Sequence, residues 1–145
     1  RHEADDLRSW LAGYGFTPRV VFIAFGVDAE AFRPGSGPTA VDIVSVGTDP
    51  HRDFALLLHV AERLPDVGFR IVTSREHLRG FASVPENVSV ETDIPLEEMR
   101  RRLMEARVVA LPVRENSYSG ATTVLLQAAP ATITAPSSRR RDSTR

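Results

Sequence analysis

From Val41 onward the chain alternates between two periodicities, and that alternation constrains its fold more than any other feature. Val41-Asp-Ile-Val-Ser-Val46 is a β-branched run that predicts a strand ending in Gly47-Thr-Asp-Pro50. Asp53 to Leu64 predicts a helix with Phe54, Leu57, Leu58 and Ala61 on one face, closed by Pro65. Phe69-Arg-Ile-Val-Thr73 predicts a strand, Glu76 to Phe81 a short helix, and Asn87-Val-Ser-Val-Glu91 another strand. Leu96 to Ala106 predicts an amphipathic helix with Met99, Leu103 and Met104 inward. Val108 to Pro112 follows as a strand and Ala121 to Ala129 as a helix. Strands and helices interleaved at this spacing build βαβ units, so the expected class is α/β with a parallel sheet. Right-handed crossovers then set helices on both of its faces.

Upstream, Leu7, Trp10 and Leu11 fall at helical spacing and predict a helix over Glu3 to Ala12, ended by Gly13 and Gly15. Arg19-Val-Val-Phe-Ile-Ala-Phe25 is β-branched and aromatic and predicts a buried strand. Phe32-Arg-Pro-Gly-Ser-Gly-Pro38 reads as a turn-rich linker. The 145 residues suit one domain, with 42% hydrophobic and 26% charged residues as in ordinary globular chains. A formal net charge of -1 gives no reason to expect nucleic acid or an anionic membrane as partner. With no cysteine, neither a disulfide framework nor a thiolate metal site can form. No apolar run reaches the roughly 20 residues that a transmembrane segment needs, and the N-terminus lacks a signal-peptide layout. A cytoplasmic location follows by default.

Ligands of parallel α/β sheets sit beyond the carboxyl ends of the strands. Here those ends are Gly47 to Arg52, Thr73 to Arg75, Thr92 to Ile94 and Arg114 to Gly120. Lysine is absent, so any cationic anchor for an anion must be Arg or His, and Arg makes forked contacts with phosphate oxygens. Gly47 lets the backbone approach a ligand, Asp49 or Asp53 can cap the next helix, and Arg52 is either a diphosphate clamp or an exposed residue of an ordinary turn. Ser119 and Gly120 stand where a helix begins, with Thr122 and Thr123 on its first turn. Free N–H groups there suit a phosphate, or Ser119 is a plain N-cap. Glu115 either holds sugar hydroxyls or is solvated. His51 has no second ligand at metal spacing and is taken as surface. Leu96-Glu-Glu-Met-Arg-Arg-Arg102 reads as a solvated helix face, with Glu97–Arg101 and Glu98–Arg102 paired at i,i+4. There is no Ser-His-Asp arrangement, metal cluster or G-x-G-x-x-G motif.

The chain resembles the C-terminal, donor-binding half of a group-1 glycosyltransferase of the GT-B fold. Gly26-Val-Asp28 followed by Phe32 and Pro34 is similar to the family's interdomain hinge signature. Val44-Ser-Val-Gly47 is similar to the first strand and glycine of its donor domain. Asn87-Val with Leu96-Glu-Glu-Met99, then Val108 to Pro112 with Ser119 to Ala128, follow in family order. The resemblance spans roughly Val20 to Ala128 and implies a Rossmann-like sheet, a partial GT-B C-terminal domain. The implied layout is residues 1–38 as the end of an N-terminal domain and linker, 39–129 as a partial nucleotide-sugar-binding domain, and 130–145 as a disordered tail. The implied activity is transfer of a sugar from a nucleotide diphosphate (a UDP-, GDP- or ADP-sugar) to an unknown acceptor, with no cofactor and no metal. Other readings are a non-catalytic nucleotide-sugar-binding or interaction module and a nucleotide-sugar epimerase.

By resemblance, Gly47, Thr48, Arg52, Ser119, Gly120, Ala121, Thr122 and Thr123 hold the diphosphate and sugar, and the Ile94 backbone meets the base. In the family's E-x7-E motif the first glutamate's position is Ser119 here. The second, which contacts the ribose, is Gln127, an amide able to hydrogen-bond a hydroxyl. The family's arginine–lysine pair is represented by Arg52 alone. Most of an acceptor domain is missing, and after Ala128 the family pattern gives way to an Ala-, Pro-, Ser-, Thr- and Arg-rich tail. A frameshift or gene fragment is the expected origin, so this chain alone is expected to bind a donor weakly at most and to transfer nothing. Sequencing the locus tests this origin: without an acceptor domain upstream, or a restored Gly-x-Pro-Val-Val in another frame downstream, it fails.

Overall fold

The computed structural model describes residues 2–32, 38–81, 83–115 and 120–132. Its centre is a four-stranded, wholly parallel sheet made of β1 (Val41–Val46), β2 (Phe69–Thr73), β3 (Val88–Thr92) and β4 (Ala106–Val109). In space the order is β3-β2-β1-β4. The chain builds outward from β1 through β2 to β3, then crosses back to lay β4 against the other side of β1. Ile43 is in register with Phe69 on one side and Val108 on the other. With helices on both faces, described below, this is an α/β, Rossmann-like fold.

Side-chain alternation along the strands produces two apolar layers. On one face Phe69, Ile71 and Val88 pack under α2 (Phe54–Arg63), which contributes Phe54, Leu57, Leu58 and Ala61. These are the helix residues that the apolar spacing selected. Asp53 caps this helix, its Oδ1 accepting from the Leu56 N–H at 3.1 Å. At the far end Asn87 Nδ2 donates to the Ala61, Leu64 and Val67 carbonyls at 3.1, 3.0 and 2.9 Å, satisfying oxygens left open where the helix stops. On the other face Val44, Val46 and Val72 pack under α3 (Leu96–Met104) and α4 (Thr122–Thr132) through Leu103, Met99 and Val124. Phe32 joins that layer, and Arg100 Nη1 donates to the Ala31 carbonyl at 2.5 Å, so the segment before the sheet is fastened to α3.

Several elements depart from the sequence reading. Residues 19–25 form no strand: Val21, Phe22 and Phe25 are exposed, and Ile23 is 84% exposed. High β-propensity makes a strand only where a neighbour supplies backbone partners, and no strand among the described residues does so. The N-terminal helix, α1 (His2–Gly13), forms as expected, yet Leu7 and Trp10 on its apolar side are exposed. The Glu76–Phe81 element is a single 3-10 turn, His77–Gly80. β4 begins two residues early and leaves the ladder before Pro112, which has no N–H to donate. α4 runs through Pro130 to Thr132, so the last family-like element extends past residue 129. The remainder of the supposed tail, 133–145, lies outside the described residues, as do 33–37 of the linker.

The charged face of α3 is also less simple than a solvated stripe. Glu98 pairs with Arg102 at i,i+4 (2.8 Å), but Glu97 pairs with Arg100 rather than Arg101. Arg102 also reaches Glu91 on β3 at 2.9 Å, and Arg70 on β2 stands 3.2 Å from Glu91 and 3.6 Å from Glu105. The Arg70 contacts are ion pairs without hydrogen-bond alignment. This half-buried network covers the sheet where small apolar residues are lacking. Among the described residues no helix is long and apolar enough to cross a membrane.

Candidate functional site

A parallel sheet opens a crevice where strands on either side of a central one run off in opposite directions along the chain. In this order the reversal falls between β1 and β4. Both loops there are stitched together by main-chain bonds: Arg52 bridges Val113, the Asp53 N–H donates to the Pro112 carbonyl (3.0 Å), and the Arg114 N–H donates to the His51 carbonyl (2.8 Å). An ion pair of 3.6 Å between Arg114 and Asp53 adds to this. The two loops expected to bear the site are thus one structural unit.

That unit buries Arg52. Its side chain lies over Gly47, and the residue is 3% exposed. Gly47 has φ +155°, and a Cβ there would meet the guanidinium, with Nη2 at 2.8 Å. Glycine is therefore required both for the backbone and for the space Arg52 fills. The Arg52 Nε and Nη1 atoms are buried and make no hydrogen bond. Burial depresses the Arg52 pKa, and the nearby Asp49 carboxylate opposes that shift. Asp49 is itself oriented by the His51 backbone N–H at 2.7 Å and the His51 ring at 3.3 Å. His51 thus helps shape the loop, where the sequence suggested a bystander.

Arg52 is one of the residues that line a cleft of about 620 Å³ beyond the carboxyl ends of β1, β2 and β3. β1 and its loop contribute Val46, Gly47, Thr48 and Asp49. Val72 and Thr73 come from β2, and Thr73 Oγ1 donates to the Gly47 carbonyl at 2.8 Å. Asp93, Ile94, Leu96 and Met99 form the β3–α3 side. Gly120, Thr123, Val124 and Gln127 come from just before α4 and from its inner face.

Of the residues named from sequence, Gly47, Thr48, Arg52, Ile94, Gly120, Thr123 and Gln127 line this one cleft. Ala121, just before α4, and Thr122, its first residue, are outside the lining, and Glu115 is exposed beyond it. Ser119 lies outside the described residues. Asp93 and Met99 were not named as site residues. Asp93 carried one signal in hindsight: its φ of 53° is the left-handed conformation that Asp and Asn tolerate better than most residues. Among the described residues no group of three or more His, Asp or Glu could hold a metal.

No protein-family model matches the chain, and no curated protein matches it.

Proposed function

We propose that this chain binds a nucleotide-diphosphate sugar in the cleft and is the donor-binding part of a GT-B glycosyltransferase. The observation that carries this reading is Arg52. A buried guanidinium with two nitrogens lacking hydrogen bonds is unfavourable unless an anion completes it. Arg presents a planar fork suited to phosphate oxygens, and the α4 N-terminus adds partial positive charge at the same end of the cleft. Gly47 permits close approach of a diphosphate. The apolar side formed by Ile94, Leu96 and Met99 suits a base, and Gln127 supplies an amide for a sugar hydroxyl.

Transfer additionally requires an acceptor held against the donor, so it is assigned to the enzyme this cleft serves. Calorimetric titration of the chain with UDP-, GDP- and ADP-sugars tests binding directly. One or more should bind, and Arg52→Met should weaken that binding by about 10-fold or more, the worth of a charge-assisted hydrogen bond. Failure of all three donors to bind, or an unchanged affinity in the variant, refutes the reading. Sugar transfer is then assayed with the donors that bind.

A further inference from the structure

The cleft is electrically polar along its length. Arg52 stands at the β1–β4 end, and Asp93 stands at the β3 end. Thr73 links these ends: its side-chain Oγ1 donates to the Gly47 carbonyl, and its carbonyl accepts from the Asp93 N–H at 3.1 Å. Gly47, Thr73 and Asp93 follow the ends of three adjacent strands, so Gly47 and Asp93 lie roughly 10 Å apart, two inter-strand spacings. An anion bound at Arg52 therefore leaves the rest of an elongated ligand to extend toward Asp93, past Ile94, Leu96 and Met99.

We infer that the cleft selects guanine among nucleotide bases, with the Asp93 carboxylate as the specificity-determining group. The inference rests on the diphosphate reading above. A carboxylate at the base end only accepts hydrogen bonds. The Watson–Crick edge of guanine offers N1–H and the N2 amino group side by side, two donors matched to two carboxylate oxygens in a bidentate pair. Adenine presents an N1 lone pair beside its amino group, and uracil flanks its N3–H with two carbonyls. Either base sets an acceptor against the carboxylate. Asp93 is free to change partners: its side chain is 52% exposed, and its contact with Arg75 is a 3.7 Å pair in which Arg75 is 81% exposed. Such an open pair is weakly held, and Arg75 stays near enough to balance charge.

The test is calorimetric titration of the whole chain with GDP, IDP, ADP, UDP and XDP at one ionic strength. GDP should bind roughly 10-fold or more tightly than ADP and UDP, and more tightly than IDP, which lacks the N2 amino group. Asp93→Asn should lose the preference for GDP and gain one for XDP, whose N1–H and C2 carbonyl complement a carboxamide. Asparagine adopts the left-handed conformation readily, so this variant keeps the loop, as an unchanged melting temperature will verify. Equal binding of GDP, ADP and UDP by the native chain overturns the guanine inference while leaving the diphosphate reading standing. So does an Asp93→Asn variant that still prefers GDP. Absence of binding by every diphosphate removes both.

Discussion

Replacing Arg52 by methionine separates the energetic role of this residue from its functional one. Methionine keeps an unbranched stem over Gly47 and deletes the guanidinium. In the native chain Nε and Nη1 are buried without hydrogen bonds, and each such donor costs about 1–3 kcal/mol. Asp49 returns part of this through charge attraction. The net relief on removing the charge is then about 1–3 kcal/mol, as when buried ions give way to packed apolar groups. For a chain near 150 residues, 1 kcal/mol moves the melting temperature by about 2–4 °C. The ligand-free variant should therefore melt at least about 2 °C higher. Burial depresses the Arg52 pKa, so its penalty is present below the folded value and is relieved as pH rises through that value. Adding nucleotide should narrow the gap. A ligand at 100 times the native Kd stabilises the native chain by about 2.7 kcal/mol, and a variant that binds about 10-fold more weakly gains about 1.4 kcal/mol. Differential scanning calorimetry with and without GDP measures both effects. A ligand-free Arg52→Met variant less stable than the native chain by more than about 1 kcal/mol refutes the reasoning, because the guanidinium would then be a satisfied structural group.

Gly47→Ala should force the Arg52 guanidinium out of its place, since the added Cβ would stand 2.8 Å from Nη2. Nucleotide affinity should fall by about 10-fold or more, which titration against GDP will read. Asn87→Ala removes the amide that serves the Ala61, Leu64 and Val67 carbonyls. It should cost about 1–3 kcal/mol in urea unfolding without changing base preference. Glu98 has a pKa lowered chiefly by its hydrogen bond from Arg101, helped by the charges of Arg101, Arg102 and Arg70. Its stabilising contribution is present above the ordinary glutamate value of 4.5 and is lost as pH falls through the lower folded value. Glu98→Gln should flatten that acid limb in pH-dependent melting.

The sheet was legible because burial and periodicity coincide in it. α2 has one apolar stripe and one polar stripe, and β1, β2 and β3 are β-branched runs bounded by turn residues. Residues 19–25 have the same local character and yet remain exposed. Propensity reports how well a side chain fits a half-buried pleat, not whether a neighbouring strand exists to form one. The charged residues of α3 were read only in part for a related reason. Their helical spacing selected the Glu98–Arg102 pair, which forms at 2.8 Å, but Arg102 also reaches Glu91 on β3 at 2.9 Å. Such contacts depend on strand order, which local pattern does not contain.

The same distinction explains the site. That the loops after β1, β3 and β4 would meet followed from the rule for parallel sheets. The state of Arg52 did not follow, because its burial arises from the bridge to Val113, sixty-one positions further along by residue number. The sequence left it open between an ordinary exposed turn arginine and a clamp. The bridge removes the first alternative: it holds residue 52 against the segment beyond β4 and leaves the guanidinium nowhere to lie except over Gly47. Exposed, Arg52 would satisfy its donors with water and imply nothing about a ligand. Enclosed with Nε and Nη1 unbonded, it is a buried cation whose donors are unsatisfied within the protein. The strongest evidence for anion binding therefore comes from a long-range backbone contact rather than from any residue's identity.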